Sequence, residues 1–224
     1  MALDGRIYAI GGDNGSFLGL VEEYDPVLDT WTTKAPMRMA RGYLAAAALN
    51  GKIYAVGGYN GSYPDPSAYL NVVEEYDPIT NSWSYKAPML LPKANHTVCA
   101  VNGKIYATSG VNNYQPSSGV EEYDPNSDFW QSKGVGPGSA YNQGAAVVND
   151  RIYVMGGIYG YTAEYDPAAN VWRAKEPMPS ERSALSAAAV GGKIYAIGGQ
   201  SGNAPIATVE QFDPGRLLFV HRKN

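Results

Sequence analysis

The chain has 224 residues, and 17 basic against 21 acidic side chains give it a formal charge of −4 at neutral pH. This balance provides no basic cluster for phosphates or anionic lipid, so neither nucleic acid nor a membrane surface is an expected partner. Apolar residues make up 45% of the sequence, which is enough to bury a core, and a folded domain is therefore predicted.

The cysteine content and the first residues indicate the compartment. Cys99 is the single cysteine, which leaves no internal disulfide and no thiolate metal cluster. Apolar runs stay far below the roughly 20 residues that cross a bilayer. Residues 1–4 form no basic and apolar leader. A soluble protein is expected, and the absence of a signal peptide and of disulfides favours the cytoplasm.

One pattern is repeated five times along the chain. Each copy carries an Ile-Tyr segment that ends in Gly-Gly, or in Ser-Gly in the third copy, at residues 5–12, 51–58, 103–110, 150–157 and 192–199. Further along, each copy reaches Tyr-Asp-Pro, or Phe-Asp-Pro in the last copy, at residues 22–26, 74–78, 121–125, 163–167 and 210–214. Five residues beyond each proline stands an aromatic residue, namely Trp31, Trp83, Trp130, Trp172 and Phe219.

Each copy predicts four short strands and no helix. A small apolar run, such as residues 42–49, predicts an inner strand packed on both faces, and the Ile-Tyr segment after it predicts the second strand. The Glu-Glu-Tyr segment predicts a third strand that stops at Asp-Pro, because proline provides no ladder donor. The tryptophan lies in the fourth strand, and a Pro-Met segment leads back to the next inner run.

These motifs, Gly-Gly, Glu-Tyr-Asp-Pro, Trp and Pro-Met, resemble the kelch repeat over essentially the whole chain. A four-stranded unit of this kind can bury its faces only by stacking on copies of itself. The resemblance implies one all-β domain over residues 1–224, a kelch-type β-propeller with five four-stranded blades. The repeats span approximately residues 1–38, 39–90, 91–138, 139–179 and 180–224.

The first blade is expected to lack its inner strand. The chain starts directly before the hairpin at Gly5, and Phe219 assigns the tail to the outer strand of the fifth blade. The ring is therefore expected to be incomplete or open, with unpaired backbone and apolar surface at the first blade. Three explanations stand: a natural five-bladed ring with a three-stranded first blade, a truncated propeller fragment without autonomous function, or a gap filled by another subunit through self-association.

Function is expected in the loops, since the repeat accounts for the core. Sixteen residues before the first position of each glycine pair, at the start of an inner strand, lie Arg41, Lys93, Ala140 and Arg182. In kelch modules that bind peptides, this position and the loop after Gly-Gly contact the partner, so the resemblance implies a site there. The predicted ligand-binding residues are Arg41, Tyr59, Asn60, Lys93, Asn95, Asn112, Tyr141, Asn142, Tyr159, Arg182, Ser183 and Gln200.

Such a face offers arginine forks for carboxylates, amides for hydrogen bonds and tyrosines for contact area. It favours a non-catalytic module that binds a protein or an acidic peptide. The loop from Tyr59 to Asn71, the longest of the set, is a further candidate for contact. The competing interpretation of Arg41, Lys93 and Arg182 is that each cation only pairs with a neighbouring carboxylate.

The residue inventory predicts no catalytic residue, metal or cofactor. The two histidines, His96 and His221, lie far apart in the sequence, and His96 and Cys99 are expected on opposite faces of one strand. Neighbouring glutamates such as Glu22 and Glu23 also point to opposite sides of a strand and cannot share a substrate.

A carbohydrate-binding propeller, or a sugar-acid mutarotase of the kind known among bacterial kelch-like proteins, is the alternative function. One of the three cations would hold the sugar carboxylate, and an acid and a base would move the proton during ring opening. Asp13 and Glu181 are the candidates for that proton transfer.

Overall fold

The computed structural model describes residues 1–62, 64–136, 138 and 140–215, together with the backbone of residues 218–221. Within these residues the chain forms five four-stranded antiparallel sheets, and its helical content is a 3-10 turn at Pro66–Ala68. In each sheet the strands follow one another in chain order from the inner to the outer position. The sheets are the five blades of a β-propeller, which confirms the predicted fold class. None of the helical structure in the described residues is long and apolar enough to cross a membrane.

The first three blades occupy residues 2–135. Blade 1 contains β1 (Ala2–Leu3), β2 (Arg6–Ile10), β3 (Val21–Asp25) and β4 (Thr30–Thr33). Blade 2 contains β5 (Ala45–Leu49), β6 (Lys52–Tyr59), β7 (Tyr69–Asp77) and β8 (Ser82–Lys86). Blade 3 contains β9 (Thr97–Val101), β10 (Lys104–Thr108), β13 (Gly119–Asp124) and β14 (Phe129–Val135), and the hairpin of β11 (Val111–Asn112) and β12 (Gln115–Pro116) lies in its loop.

The last two blades complete the arrangement. Blade 4 contains β15 (Gln143–Val148), β16 (Arg151–Gly156), β17 (Thr162–Asp166) and β18 (Val171–Lys175). Blade 5 contains β19 (Ser186–Val190), β20 (Lys193–Ile197), β23 (Val209–Asp213) and β24 (Leu218–His221), and the short hairpin of β21 (Gln200–Ser201) and β22 (Ala204–Pro205) lies in its loop. Phe219 and His221, which the sequence analysis singled out, have side chains outside the described part of the structure.

The third strand of each blade ends at Asp-Pro through side-chain hydrogen bonds. In blade 1, Asp25 Oδ1 accepts the backbone N–H of Val27 at 2.8 Å, and the aspartates of the other four blades accept the equivalent bond. The preceding tyrosine is held by the same turn. Tyr76, for example, donates its hydroxyl to Asn81 Oδ1 at 2.7 Å, and Asn81 has a φ of 49°, a region that Asn and Asp tolerate better than other side chains.

The core lies between blades, in four apolar clusters that join blades 1 and 2, 2 and 3, 3 and 4, and 4 and 5. At the first of these interfaces the Tyr8 and Tyr76 rings meet edge to face with centroids 6.2 Å apart. Trp83 Nε1 then donates to the Ala35 carbonyl of the preceding blade at 2.8 Å, and Trp130 bonds to Ala87 in the same way. The repeated aromatic residues therefore serve the blade interfaces.

The ring is open in the described residues, because blades 5 and 1 share no apolar cluster. Ile53, Ile105, Ile152 and Ile194 are fully buried at the interface with the preceding blade, whereas Ile7, at the same position of blade 1, is 45% exposed. Trp31 is likewise 55% exposed. The expected loss of the inner strand is nearly complete: residues Ala2–Leu3 form a two-residue strand against β2, where the other blades have inner strands of five or six residues.

The glycine pairs hold successive blades together. Gly57 has a φ of +60°, and a Cβ on it would lie 2.6 Å from the Lys93 carbonyl of the next blade. The following Gly58 donates its N–H to that same carbonyl at 2.8 Å. These two residues need glycine, because the backbones approach closely there and both glycines have a positive φ.

Candidate functional site

Both predicted loop sets lie at one end of the propeller. In blades 2, 3 and 5, the residue three positions before the inner strand pairs with the residue after the glycine pair through two backbone hydrogen bonds. Gly42 pairs with Tyr59 at 3.0 and 2.9 Å, and Ser183 pairs with Gln200 at 2.9 and 2.8 Å. Ala94 and Val111 make the same bridge in blade 3. We call this end the loop face.

The three cations predicted as ligand contacts are buried beneath the loop face. Arg41 and Lys93 have no exposed surface and Arg182 is 2% exposed. Each forms an ion pair with the first acidic residue of the third strand in its own blade: Arg41 with Glu74 at 2.5 Å, Lys93 with Glu121 at 2.8 Å and Arg182 with Glu210 at 3.2 Å. Their burial leaves no charge accessible to a ligand, so the expected contact with ligand carboxylates is corrected in favour of the ion-pair interpretation.

The buried ion pairs are also hydrogen-bonded to backbone groups. Arg41 donates to the carbonyls of Gly57, Met39 and Ala55 at 2.9, 2.8 and 3.1 Å. Glu74 in turn accepts the N–H of Arg38 and of Met39 from the preceding Pro-Met segment. The glutamate therefore holds the link between two blades in addition to neutralising the cation.

A signal for this pairing was present in the sequence. The fourth repeat has Ala140 at the cation position and Ala163 at the glutamate position. It also follows residues 134–138, where the Pro-Met segment is replaced by a glycine-rich run. The cation, the carboxylate and the regular link that precedes them are lost together, which indicates that the three belong to one structural unit.

The glutamate at the next position of the third strand, directly after the one in the ion pair, also has a structural role. Tyr106 donates its hydroxyl to Glu122 Oε2 at 2.7 Å, and Tyr8 and Tyr153 make the same contact with Glu23 and Glu164. Burial raises the pKa of Tyr106, and the hydrogen bond from Tyr106 to Glu122 raises it further. These tyrosines stay protonated donors, and the acidic pairs form no acid and base set.

Four backbone segments form a chain of hydrogen bonds around the propeller axis, which we call the axial collar. Its members are Tyr43, Asn95, Asn142 and Ala184, and each has a φ between 52° and 59°. The N–H of Asn95 donates to Tyr43 O at 3.0 Å, that of Asn142 to Asn95 O at 3.1 Å, and that of Ala184 to Asn142 O at 2.8 Å. Two of the predicted site residues, Asn95 and Asn142, are thereby brought together at the axis.

The collar borders an axial cavity of about 240 Å³ that blades 2 to 5 line together. Beneath Asn95 lies His96, whose two ring nitrogens have no hydrogen-bond partner among the described residues. Burial, with a contribution from the Lys93 charge, lowers the pKa of His96 to about 3. His96 is therefore a neutral imidazole. Burial also raises the pKa of the Cys99 thiol to about 12, so Cys99 is an unreactive core residue.

A second concavity of about 280 Å³, the aromatic pocket, opens beside the axial cavity and shares two residues with it. It is lined by Tyr43, Tyr59, Tyr69, Ala94, Asn95 and Tyr114. The Tyr59 and Tyr69 rings meet edge to face with centroids 5.0 Å apart, and Tyr69 and Tyr114 meet in the same way at 5.3 Å. Because these rings support one another, the wall of the pocket is preformed.

Tyr69 is the first residue of β7, and Tyr114 lies in the turn between β11 and β12. Both lie outside the repeated motifs, so the sequence did not assign them individually. The only available signal was the unusual length of the loop that starts at Tyr59.

The remaining predicted residues are distributed around these cavities. Ser183 and Gln200 line a third concavity of about 250 Å³, together with Glu181 and the buried Arg182. Tyr159 and Asn60 are exposed, Asn112 is half-buried, and Tyr141 packs against the cluster that includes Tyr59. The loop face thus carries three shallow sites lined by tyrosine, asparagine, serine and glutamine.

The known family that this chain resembles matches it repeat by repeat. The kelch motif matches residues 1–38, 40–90, 92–132 and 181–216, which together cover most of the chain. These ranges leave out the fourth repeat, which lacks both members of the buried ion pair.

Kelch-like protein 25 of Xenopus tropicalis is 33% identical over 118 residues, covering 50% of this chain and 20% of that protein. Alpha-scruin of Limulus polyphemus is 29% identical over 114 residues, 49% of this chain and 12% of that protein. Kelch-like protein 26 of Danio rerio is 29% identical over 109 residues, 48% of this chain and 17% of that protein. The match thus spans a fifth or less of each relative. With the kelch motif matched over most of its length, the chain belongs to the kelch-repeat family.

Proposed function

We propose that this propeller is a non-catalytic module that binds a protein or peptide on the loop face around its axis. Most of the groups that a catalytic site would need are engaged within the framework. The three cations are in buried ion pairs, and the Tyr8, Tyr106 and Tyr153 hydroxyls are bound to glutamates. The exposed polar and aromatic groups that are left for a partner lie in the loops. Tyrosine and asparagine at such a surface provide contact area and adaptable hydrogen bonds at a small entropic cost.

Tyr43 is the single residue that carries this proposal. Its side chain is 51% exposed, and its left-handed backbone is held in the axial collar. It lines both the aromatic pocket and the axial cavity, so a bound segment that enters either one contacts it. A large ring on a rigid backbone between two concavities has the properties of an interface anchor.

The partner we propose is a neutral or basic peptide rather than an acidic one. The preference for acidic peptides rested on Arg41, Lys93 and Arg182, which are buried in ion pairs. The carboxylates of Asp13 and Glu181 lie on exposed loop residues and favour positive charge near them. The mutarotase alternative needs one of the same three cations to hold the sugar carboxylate. Because all three are buried, we do not propose it. Carbohydrate binding becomes an outcome of the test.

The test is selection from a random peptide library displayed on phage, followed by affinity measurement on the full chain. Tyr43→Ala is expected to weaken the selected peptides about tenfold or more, the range of an interface hot spot. Tyr85→Ala is the matched control, because Tyr85 is 52% exposed but lies in an outer strand of blade 2 and should leave binding unchanged. Peptides that bind both variants equally would contradict the proposed face. Failure to select any peptide, with binding to a glycan array instead, would favour the carbohydrate alternative.

A further inference from the structure

The aromatic pocket is lined by four tyrosines, and none of the described residues that line it is charged. The Tyr59 and Tyr69 rings lie at 71° to each other, and the Tyr69 and Tyr114 rings at 79°. Rings at nearly right angles form adjoining walls rather than a flat stack. The face of an aromatic ring is electron-rich and attracts a cation within about 6 Å of its centroid. A positive group in this pocket can therefore contact several rings at once.

Strand pairing holds two of the walls in place. Tyr59 ends β6, Tyr69 begins β7, and the two residues are opposite each other in the β6–β7 register. Each of them is 9% exposed. Tyr59 also pairs with Gly42 through two backbone hydrogen bonds. A group that binds between these rings therefore meets rigid walls, which lowers the entropic cost of binding.

The other two tyrosines occupy backbone positions that bulky side chains disfavour. Tyr43 has a φ of 55°, and Tyr114, in the turn between β11 and β12, has a φ of 60°. At the collar position of Tyr43, blades 3 and 4 have Asn95 and Asn142, and asparagine tolerates this region better than tyrosine does. Asparagine would suit the backbone of both positions at a lower cost. The rings themselves therefore account for the tyrosines at these positions.

The charges beside the pocket also favour a cation. The Asp65 carbonyl accepts the Tyr59 hydroxyl at 3.4 Å, and hydrogen bonds from the 3-10 turn hold the pKa of the Asp65 carboxyl below its usual value. Asp13 forms a backbone bridge with Phe17, whose ring centroid is 5.9 Å from that of Tyr59. Lys93, next to the pocket in sequence, is buried in its ion pair. Two exposed carboxylates thus adjoin the rings and attract positive charge.

The pocket suits a methylated ammonium group better than a free one. A free ammonium group has three N–H donors that need acceptors when it leaves water. Among the described lining side chains, the acceptors are the tyrosine hydroxyls and the amide of Asn95. A trimethylammonium group keeps the charge, has no N–H donor and presents methyl groups to the rings. The volume of about 280 Å³ is below the roughly 300 to 1,000 Å³ of pockets for drug-sized ligands, so it suits a single side chain.

We propose that the aromatic pocket binds the trimethylammonium group of a methylated lysine in the peptide that occupies the loop face. The group lies among four rings, those of Tyr43, Tyr59, Tyr69 and Tyr114. From there the peptide continues over Tyr43 toward the axial cavity. This inference rests on the proposed peptide-binding function and adds the side chain that the pocket selects.

The test compares three synthetic peptide libraries with randomised flanks that differ only at the central residue. That residue is trimethyllysine, lysine, or the neutral analogue in which carbon replaces the quaternary nitrogen. The full chain should select peptides from the first library. By calorimetry, each selected sequence should bind about tenfold or more tightly with trimethyllysine than with either replacement. Equal affinity for the charged and the neutral form, or a preference for lysine, would overturn the proposal.

Tyr114 variants locate the bound group, because Tyr114 lines the aromatic pocket and not the axial cavity. Tyr114→Phe should keep the preference for the charged peptide over its neutral analogue, whereas Tyr114→Leu should reduce that preference about fivefold. A loss of structure would weaken both peptides alike and leave the ratio unchanged. Tyr85→Leu is the matched control, since Tyr85 is 52% exposed in an outer strand. An unchanged ratio in Tyr114→Leu would show that the group binds elsewhere.

Choline separates a methylated peptide from a free small molecule. It carries the same trimethylammonium group but makes no contact with the rest of the loop face, so it should bind about tenfold or more weakly than the selected peptides. Binding as tight as that of the peptides would overturn the assignment to a peptide.

The phage library contains only encoded, unmethylated residues, so the two proposals fail separately. Phage peptides that depend on Tyr43, without any preference for trimethyllysine in the synthetic libraries, would overturn this inference and leave the proposed function intact. If neither kind of library yielded a binding peptide, both would be overturned.

Discussion

Arg41 and Glu74 form an ion pair in which neither side chain is exposed to solvent. Removing one charge from such a pair leaves the other buried without compensation. Arg41→Met should therefore lower the free energy of unfolding by about 3 to 5 kcal/mol, and adding Glu74→Gln should restore part of that loss. Urea denaturation of the two single variants and the double variant measures the coupling.

Lys34→Met is the control for this cycle. Lys34 lies 3.1 Å from Glu23, but both side chains are partly exposed, so its loss should cost less than about 1 kcal/mol. If Arg41→Met proved as mild as Lys34→Met, the buried pair would not be structural, and ligand contact by Arg41 would regain support.

His96 occupies a position that is leucine in blades 2 and 5. Leu44 and Leu185 lie at the equivalent position of blades 2 and 5 and pack beside Gly11 and Gly156, as the His96 ring packs beside Gly57. A buried imidazole with two unpaired nitrogens costs more than an alkyl group there. His96→Leu should therefore raise the free energy of unfolding at neutral pH by about 1 to 3 kcal/mol, as measured by urea denaturation.

The same substitution should change the response to acid. The unfolded imidazole binds a proton below about pH 6.5, whereas the folded one binds it only near pH 3, so acid favours unfolding. Within this window, His96 lowers the free energy of unfolding by up to about 1.4 kcal/mol more for each unit by which the pH falls. The advantage of His96→Leu should widen steadily from pH 7 to pH 4. A constant advantage would show that His96 is protonated or solvated in the folded protein.

The close contact between neighbouring blades depends on the first glycine of the Gly-Gly pair that ends each second strand. Gly57 and Gly198 both have a φ of +60°, but a Cβ would lie 2.6 Å from Lys93 O at Gly57 and no closer than 3.6 Å from any atom at Gly198. Gly198→Ala should cost about 1 to 2 kcal/mol from backbone strain alone. Gly57→Ala should cost about 2 kcal/mol more, because the methyl group separates two blades. Equal midpoints in urea would mean that the blades move apart without cost.

Strand positions could be predicted because each is marked by residues with a local role. Asp25 stops its strand through its own turn, and Tyr76 and Trp83 recur at fixed spacing because every blade interface is alike. For the candidate site, the sequence indicated which loops share one end of the propeller, but it did not give the partners of their side chains, because those depend on contacts between distant residues. Arg41 and Glu74 are 33 residues apart in the sequence. The aromatic pocket joins Tyr69, at the start of β7, and Tyr114, in the turn between β11 and β12, and neither position is part of the repeated motif.

Because the ring is open in the described residues, the blades should differ in local stability. Blades of a repeat protein are stabilised largely by their nearest neighbours, so a blade with one neighbour should open more readily than a blade with two. Blade 3 has apolar clusters on both sides, whereas blades 1 and 5 each share a cluster with one neighbour in the described residues. In a closed ring all five blades would be equivalent in this respect.

Hydrogen exchange measured by mass spectrometry should therefore reveal a gradient along the chain. Amides of β13 in blade 3 should exchange only through the largest openings, while those of β3 in blade 1 and β23 in blade 5 should exchange sooner, although all three are third strands with partners on both sides. Comparing strands at the same place within a blade removes the effect of edge position. Equal protection in blades 1, 3 and 5 would contradict the open arc, because it would require a contact that shields Ile7 and Ile197 from solvent.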